Sequence, residues 1–225
     1  LTRSDDLTPA LLFDLDGTIC ETDWAHLKAF ELLFGGLGIE MNEHIFKTRI
    51  MGASNPMIGE AFLPHLPVAE RARLLDRKEE IYRGLVGEVQ PVAGLIALLD
   101  WAEARGVPCA IVTNAPRENA DQIIGGLKIG HRFQALICGQ ELARGKPDPL
   151  PYLEGLRLVN GDPARSIAFE DSPSGMKAAI GAGLPVVGMT TNLDAATVLS
   201  HGAALAAPDF TDAAMIDLVV RRTRA

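Results

Sequence analysis

Apolar residues in this chain gather in short unbroken runs, separated by longer stretches with helical periodicity. The first run, residues 10–13 (Ala-Leu-Leu-Phe), is apolar at every position and stops at Asp14 and Gly17. A strand with no polar face must be covered on both sides, as strands of a parallel sheet are. Further runs of this kind lie at 107–112, 135–138, 166–169, 185–188 and 203–206. Helical patterns separate them at 117–125, 149–159, 173–182 and 194–200, and another precedes residue 107 with Leu95, Leu98, Leu99 and Ala102 on one side. From residue 91 onward strand and helix alternate. That predicts βαβ units and an α/β fold, a doubly wound parallel-sheet Rossmann-like core.

Residues 21–88 break the rhythm. They read as helices only, at 23–34, 43–50, 56–62 and 68–86, the first with Leu27, Phe30, Leu33 and Phe34 on its apolar face. Connections on either side of a crossover helix usually run about 2–6 residues, so an all-helical segment of this length reads as an insertion. The expected organisation is a catalytic core of residues 1–20 and 89–225 with an α-helical cap of 21–88 inserted after the first strand. Ligands of doubly wound sheets bind beyond the carboxyl ends of the strands, and a cap entering and leaving there would lie over the site.

Composition narrows the function classes. The 225 residues are 48% hydrophobic and 22% charged, with a formal net charge of -8. No stripe of Lys and Arg is present, which argues against nucleic acid as a partner. An anionic substrate requires a few cations or a metal to reverse the field locally. Cys20, Cys109 and Cys138 are odd in number and far apart, unlike a disulfide framework or a zinc site. No apolar stretch approaches the ~20 residues that span a bilayer, and residues 1–9 carry no signal-peptide pattern. The start at Leu1 suggests a missing initiator Met or tag. A cytoplasmic monomer with no membrane partner is expected.

The polar clusters worth naming fall after predicted strands. The first is Asp14-Leu15-Asp16-Gly17-Thr18, where a turn brings two carboxylates toward one pocket. Two such charges repel by about 4 kcal/mol at ~4 Å in an effective dielectric of about 20, a cost that a cation or a shared proton offsets. The plainer reading is an ordinary turn, since Asp and Gly are common there. The second is Thr113-Asn114, suited to a phosphoryl oxygen or equally to capping the helix at Arg117. The third is Lys146-Pro147, a fixed cation or a surface lysine. The fourth is Glu170-Asp171-Ser172, hard oxygen donors for Mg²⁺ or an N-cap followed by Pro173 at the first helical position.

Taken in order, Asp-x-Asp-Gly-Thr, Thr-Asn, Lys-Pro and Glu-Asp-Ser resemble the haloacid-dehalogenase-like superfamily over nearly the whole chain, and residues 170–183 (EDSPSGMKAAIGAG) are an especially close match. The resemblance implies a Mg²⁺-dependent phosphatase acting on a small phosphorylated metabolite, a phosphosugar or phosphocarboxylate. It implies Asp14 as the nucleophile that becomes an aspartyl phosphate and Asp16 as general acid and base. Thr113, Asn114 and Lys146 would bind the phosphoryl group, with Lys146 also holding Asp14. Asp171 with Glu170, the Asp14 carboxylate and the Asp16 carbonyl would hold the metal. The dehalogenases of that superfamily lack an equivalent of Asp16, so phosphate esters are implied and not carbon–halogen bonds.

Three cap residues also match sugar-phosphate phosphatases and β-phosphoglucomutases of that family: His26, Arg49 (before Ile-Met-Gly-Ala-Ser54) and Lys78. They are expected to bind the part of the substrate that does not react. Met51 and Asn55 depart from the mutase pattern, where Lys and Arg are usual. A mutase that returns the phosphoryl group to a sugar is the runner-up. The non-enzyme rival, a response-regulator receiver, has a phosphorylated Asp, Mg²⁺, a Thr and a Lys, but is shorter and has no inserted helices.

Overall fold

The architecture is taken from a computed structural model, which describes residues 7–224. The opening residues read above as lacking a signal-peptide pattern lie mostly outside that range. Six strands form one sheet: β1 (Leu11–Phe13), β2 (Cys109–Thr113), β3 (Ala135–Cys138), β4 (Ile167–Glu170), β5 (Val186–Met189) and β6 (Leu205–Ala207). All pairings are parallel, in the order β3-β2-β1-β4-β5-β6. The winding therefore reverses between β1 and β4, the crevice where doubly wound sheets bind ligands.

The unbroken apolar runs are buried on both faces because each strand alternates between two cores. Leu11 and Phe13, with Ile111, Phe169 and Met189, meet α5 (Leu95–Ala104), α6 (Arg117–Leu127) and α10 (Ala213–Arg222). Leu12, with Val112, Ala168 and Val186, meets α7 (Leu150–Leu158), α8 (Pro173–Gly181) and α9 (Ala195–Ser200). Phe13 stacks on Phe169 with centroids 4.7 Å apart, tying the two strands that flank the crevice.

Most strands start and end later than the apolar runs suggest. Ser166 still belongs to a turn, its N–H and hydroxyl both donating to the Asp162 carbonyl. At the other end Thr113 and Glu170, expected just after strands, are their last residues, in register with Cys138 and Gly188. The ladder thus holds both functional positions rigid. Helix α10 was not anticipated. It has its own signals, an Asp212 side chain accepting from the Met215 N–H at 2.9 Å and buried Met215 and Val219 four residues apart.

Between β1 and β2 lie α1 (Asp23–Gly35), α2 (Glu43–Arg49), α3 (Asn55–Phe62) and α4 (Val68–Leu85). They share a separate apolar cluster that includes Phe30, Phe34, Phe46, Ile58 and Leu75. Ala25, Ala29 and Tyr82, on the other side of α1 and α4, join the core beneath the sheet. Among the described residues no helix is long and apolar enough to cross a membrane.

Candidate active site

The turn after β1 turns back sharply at Gly17, which has φ +77°. A Cβ there would stand 2.3 Å from Asp171 Oδ2, so only glycine lets the two loops meet. This closeness gathers the carboxylates. Asp14, Glu170 and Asp171 are all buried, with one ligand oxygen from each lying within 4.8 Å of the others. Burial pushes the Asp14 carboxyl up to about 8, with Glu170 and Asp16 adding to it and Lys146 opposing it. Asp171 is raised well above the carboxylate range by burial and by its acidic neighbours Asp23, Asp14 and Glu170. An all-oxygen donor set so short of positive charge fits a hard divalent cation such as Mg²⁺.

Lys146 is the one ammonium in this cluster. Its Nζ donates to Asp14 Oδ1 at 2.6 Å and to Glu170 Oε1 at 2.5 Å. Burial works against its charge, but the two carboxylates prevail and hold its pKa above the ordinary lysine value. Lys146 does not follow a strand end as expected; it stands in the loop between β3 and α7. Asn114 anchors it there, accepting from the Lys146 N–H at 2.9 Å and donating to the Lys146 carbonyl at 3.0 Å.

The Asn114 amide also donates to the Gly52 carbonyl at 3.0 Å. Its side chain, expected to touch a phosphoryl group, is therefore engaged with protein, and it does not cap α6, whose N-cap is Pro116. The buried Thr113 hydroxyl accepts from the Ala115 N–H at 3.0 Å. That uses a lone pair and leaves its proton for a phosphoryl oxygen.

Asp16 faces the helical insertion. Its Oδ1 accepts from the hydroxyls of Thr22 and, at 3.2 Å, Tyr82, and lies 3.6 Å from His26 Nε2. Burial alone would raise its pKa, but the contacts with His26, Thr22 and Tyr82 prevail and hold it below the ordinary value. His26 stacks on Tyr82 with centroids 3.8 Å apart, and Lys78 Nζ lies 2.8 Å from His26 Nδ1. An ammonium there donates, which makes Nδ1 the acceptor and puts the ring proton on Nε2, toward Asp16.

His26 and Lys78 thus line the same cavity as Asp14, Asp16, Thr113 and Lys146. Arg49 does not. It is an exposed residue whose guanidinium lies 4.4 Å over the Phe62 ring, because α2 turns this position away from the opening. Arg49, expected from sequence to contact substrate, is thus not among the residues brought together at this cavity.

Thr18, named in the first motif without a role, donates to Asp171 Oδ1 at 3.2 Å. Other residues of the site were not singled out from sequence: Asn192 donates to Asp171 Oδ2 at 3.1 Å, and Tyr152 donates to Glu170 Oε1 at 2.6 Å. Glu79 is buried beside Lys78. The pairs Thr22–His26 and Lys78–Tyr82 are each four residues apart, a one-face spacing on facing helices that was a usable signal. Gly52 (φ +73°) brings its loop so near the core that a Cβ would lie 2.5 Å from Ser172 Oγ. Its carbonyl accepts from Asn114 and Ser174, latching the insertion onto the core.

Residues 11–189 match the family model of the haloacid dehalogenase-like hydrolases. The chain is 30% identical to validoxylamine A 7'-phosphate phosphatase of Streptomyces hygroscopicus subsp. limoneus, over 82% of this chain and 86% of that protein. It is 29% identical to the β-phosphoglucomutase of Bacillus subtilis, over 80% and 82%. Among solved structures, a CbbY mutant from Rhodobacter sphaeroides in complex with xylulose-(1,5)bisphosphate superimposes with a TM-score of 0.77 at 26% identity, covering 92% of this chain and 96% of that one.

Proposed function

We propose that this chain, which belongs to the haloacid dehalogenase-like hydrolase family, is a Mg²⁺-dependent phosphatase that hydrolyses a small phosphosugar-like monoester through a phosphorylated Asp14. The observation that carries the reading is the pairing of Asp14 with Lys146 at 2.6 Å, next to an Asp16 held by Thr22, Tyr82 and His26. One carboxylate is positioned to attack and a second to handle protons.

Lys146 holds Oδ1 of Asp14 and leaves Oδ2 as the attacking oxygen. A phosphoryl dianion drawn alongside raises the affinity of Asp16 for a proton by like-charge repulsion. Asp16 then protonates the leaving oxygen, and once the product alcohol departs it takes a proton from the water that attacks phosphorus. Phosphate leaves and Asp14 is regenerated. Thr113 and Lys146 donate to the phosphoryl oxygens throughout. Asp14, Asp171 and Glu170, with the Asp16 carbonyl, would hold Mg²⁺, which supplies charge neutralisation of the phosphoryl group when bound.

The segment 21–88 acts as the cap of this enzyme and the remainder as its catalytic core. One chain supplies the whole cavity, so a monomer suffices. Three buried, unpaired cysteines suit the cytoplasm. A mutase is the second reading, because a β-phosphoglucomutase is a relative of similar identity. Met51 and Asn55 line the cavity where the mutase pattern has cations, which favours release of phosphate over its return.

The experiment is a time course of free phosphate and of substrate with hexose monophosphates. Phosphate should appear as fast as substrate disappears, only with Mg²⁺ and not in chelator. Full turnover in chelator contradicts the metal role, and isomerisation outrunning phosphate release selects the mutase.

A further inference from the structure

The cavity has a second half beyond the phosphoryl end, and its one ammonium is already paired within the protein. Lys78 Nζ donates to both oxygens of Glu79 at 3.1 Å and to His26 Nδ1 at 2.8 Å. Glu79 in turn accepts from the side-chain amides of Asn55 at 2.9 Å and Asn119 at 2.7 Å. Both Lys78 and Glu79 are buried, and burial, the largest single influence on the Glu79 carboxyl, is outweighed by Lys78, His26 and the Asn55 and Asn119 amides together, which hold its pKa below the ordinary carboxylate value. Asp23 lines the same space and binds Asn192. Among the described residues no arginine lines the cavity, and Lys78 and Lys146 are its only lysines. The opposite side is apolar, with Phe46, Ile50, Met51 and Ile58.

We infer that the half of the cavity under the helices selects a neutral polyhydroxylated tail, a sugar or cyclitol, and rejects a second anion such as another phosphate or a carboxylate. This rests on the phosphatase reading of the same site. An anionic tail brought here meets Glu79 and Asp23 and finds Lys78 already paired. Hydroxyls instead accept from the Asn55 N–H not given to Glu79 and donate to the Asp23 carboxylate, while the C–H face of a ring packs on Ile50 and Ile58. Glu79 is the specificity-determining residue, since it cancels the only cation on this wall. The inference narrows the expectation from sequence, a phosphosugar or phosphocarboxylate, to the phosphosugar.

The test uses the full chain with Mg²⁺ and four esters: a hexose monophosphate, the matching hexose bisphosphate, phosphoglycolate and p-nitrophenyl phosphate. Wild-type kcat/KM for the hexose monophosphate should exceed that for the bisphosphate and for phosphoglycolate by at least about tenfold. Glu79→Gln frees the Lys78 charge, and the ratio of bisphosphate to monophosphate kcat/KM should rise about tenfold. Asn55→Arg, which adds a cation at the edge of the same space without removing a buried charge, should move the ratio the same way if Glu79→Gln does not fold. Wild-type preference for the bisphosphate or phosphoglycolate would overturn the inference while leaving the phosphatase reading intact, as would a ratio that neither variant moves. No hydrolysis of any ester, p-nitrophenyl phosphate included, would overturn the phosphatase reading and this inference with it.

Discussion

On the core wall three buried carboxylates, Asp14, Glu170 and Asp171, cluster about a single ammonium, Lys146, which pairs with the first two; on the helical wall Lys78 pairs with Glu79, the amides of Asn55 and Asn119 complete the pair, and Asp23 is bound by the Asn192 amide. Both walls are built from buried charges, yet the larger deficit of positive charge is on the first. Burying an ion is costly unless a partner offsets it. The deficit on the core wall suits an external cation, which in the proposed mechanism would be held by Asp14, Glu170 and Asp171 and would supply charge to neutralise a phosphoryl group. The helical wall contributes shape and hydrogen bonds.

The largest expected effect comes from removing the attacking carboxylate. Asp14→Asn should lower kcat by roughly 10⁴-fold, the scale seen when one member of a catalytic unit is lost. Its melting temperature in chelator should change little, because Asn keeps the shape of the side chain and Lys146 keeps Glu170 as its partner. Lys146→Met tests the same wall from the other side. It leaves Asp14 and Glu170 buried with no ammonium, and denaturant unfolding should show a loss of about 3–5 kcal/mol, along with most of the activity. A stable, active Lys146→Met protein would mean that the carboxylates are protonated and the supposed deficit is absent.

Smaller effects follow toward the helical wall. Asp171→Asn should raise the Mg²⁺ needed for half-maximal rate by ~10–100-fold, comparable to the loss caused by altering contacts around a metal. Tyr82→Phe removes one of the donors to Asp16 and should lower kcat by at most about tenfold, since one such bond is worth about 0.5–1.5 kcal/mol. Arg49→Ala is expected to do least. Its guanidinium packs on Phe62 outside the cavity, so stability should drop by ~1 kcal/mol or less. The kcat/KM values for sugar phosphates and for p-nitrophenyl phosphate should be nearly unchanged. A selective loss on the sugar phosphates would put a cation on the helical wall and undo the contrast between the walls.

How much of this was legible in the sequence follows the range of the interactions. Strand existence was readable because apolar runs such as 10–13 and 135–138 have no polar face to leave outside. The strand ends were less so, since Ser166 is held by a turn to Asp162 and Glu170 by its register with Gly188, and neither partner announces itself locally. The clustered motifs at 14–18 and 170–172 pointed to one site because short turns keep neighbours together. Contacts across the cavity were harder. Asn192 reaches Asp171 from the loop after β5, and Tyr152 reaches Glu170 from α7. A single polar residue in such places looks like surface until the fold is known. Arg49 shows the opposite case. A motif supplied the residue, but the orientation of α2 decided where its side chain went.

The account turns on Asp14 carrying the phosphoryl group, and chemical trapping tests that directly. Enzyme, Mg²⁺ and a hexose monophosphate are mixed, quenched in acid during turnover, reduced with borohydride and digested for mass spectrometry. An acyl phosphate is reduced to the alcohol, so Asp14 should appear as homoserine in the peptide that carries it, with Asp16 and Asp171 unaltered and no conversion in Asp14→Asn. Turnover with Asp14 unmodified, or with the reduction falling on another carboxylate, would contradict the central claim.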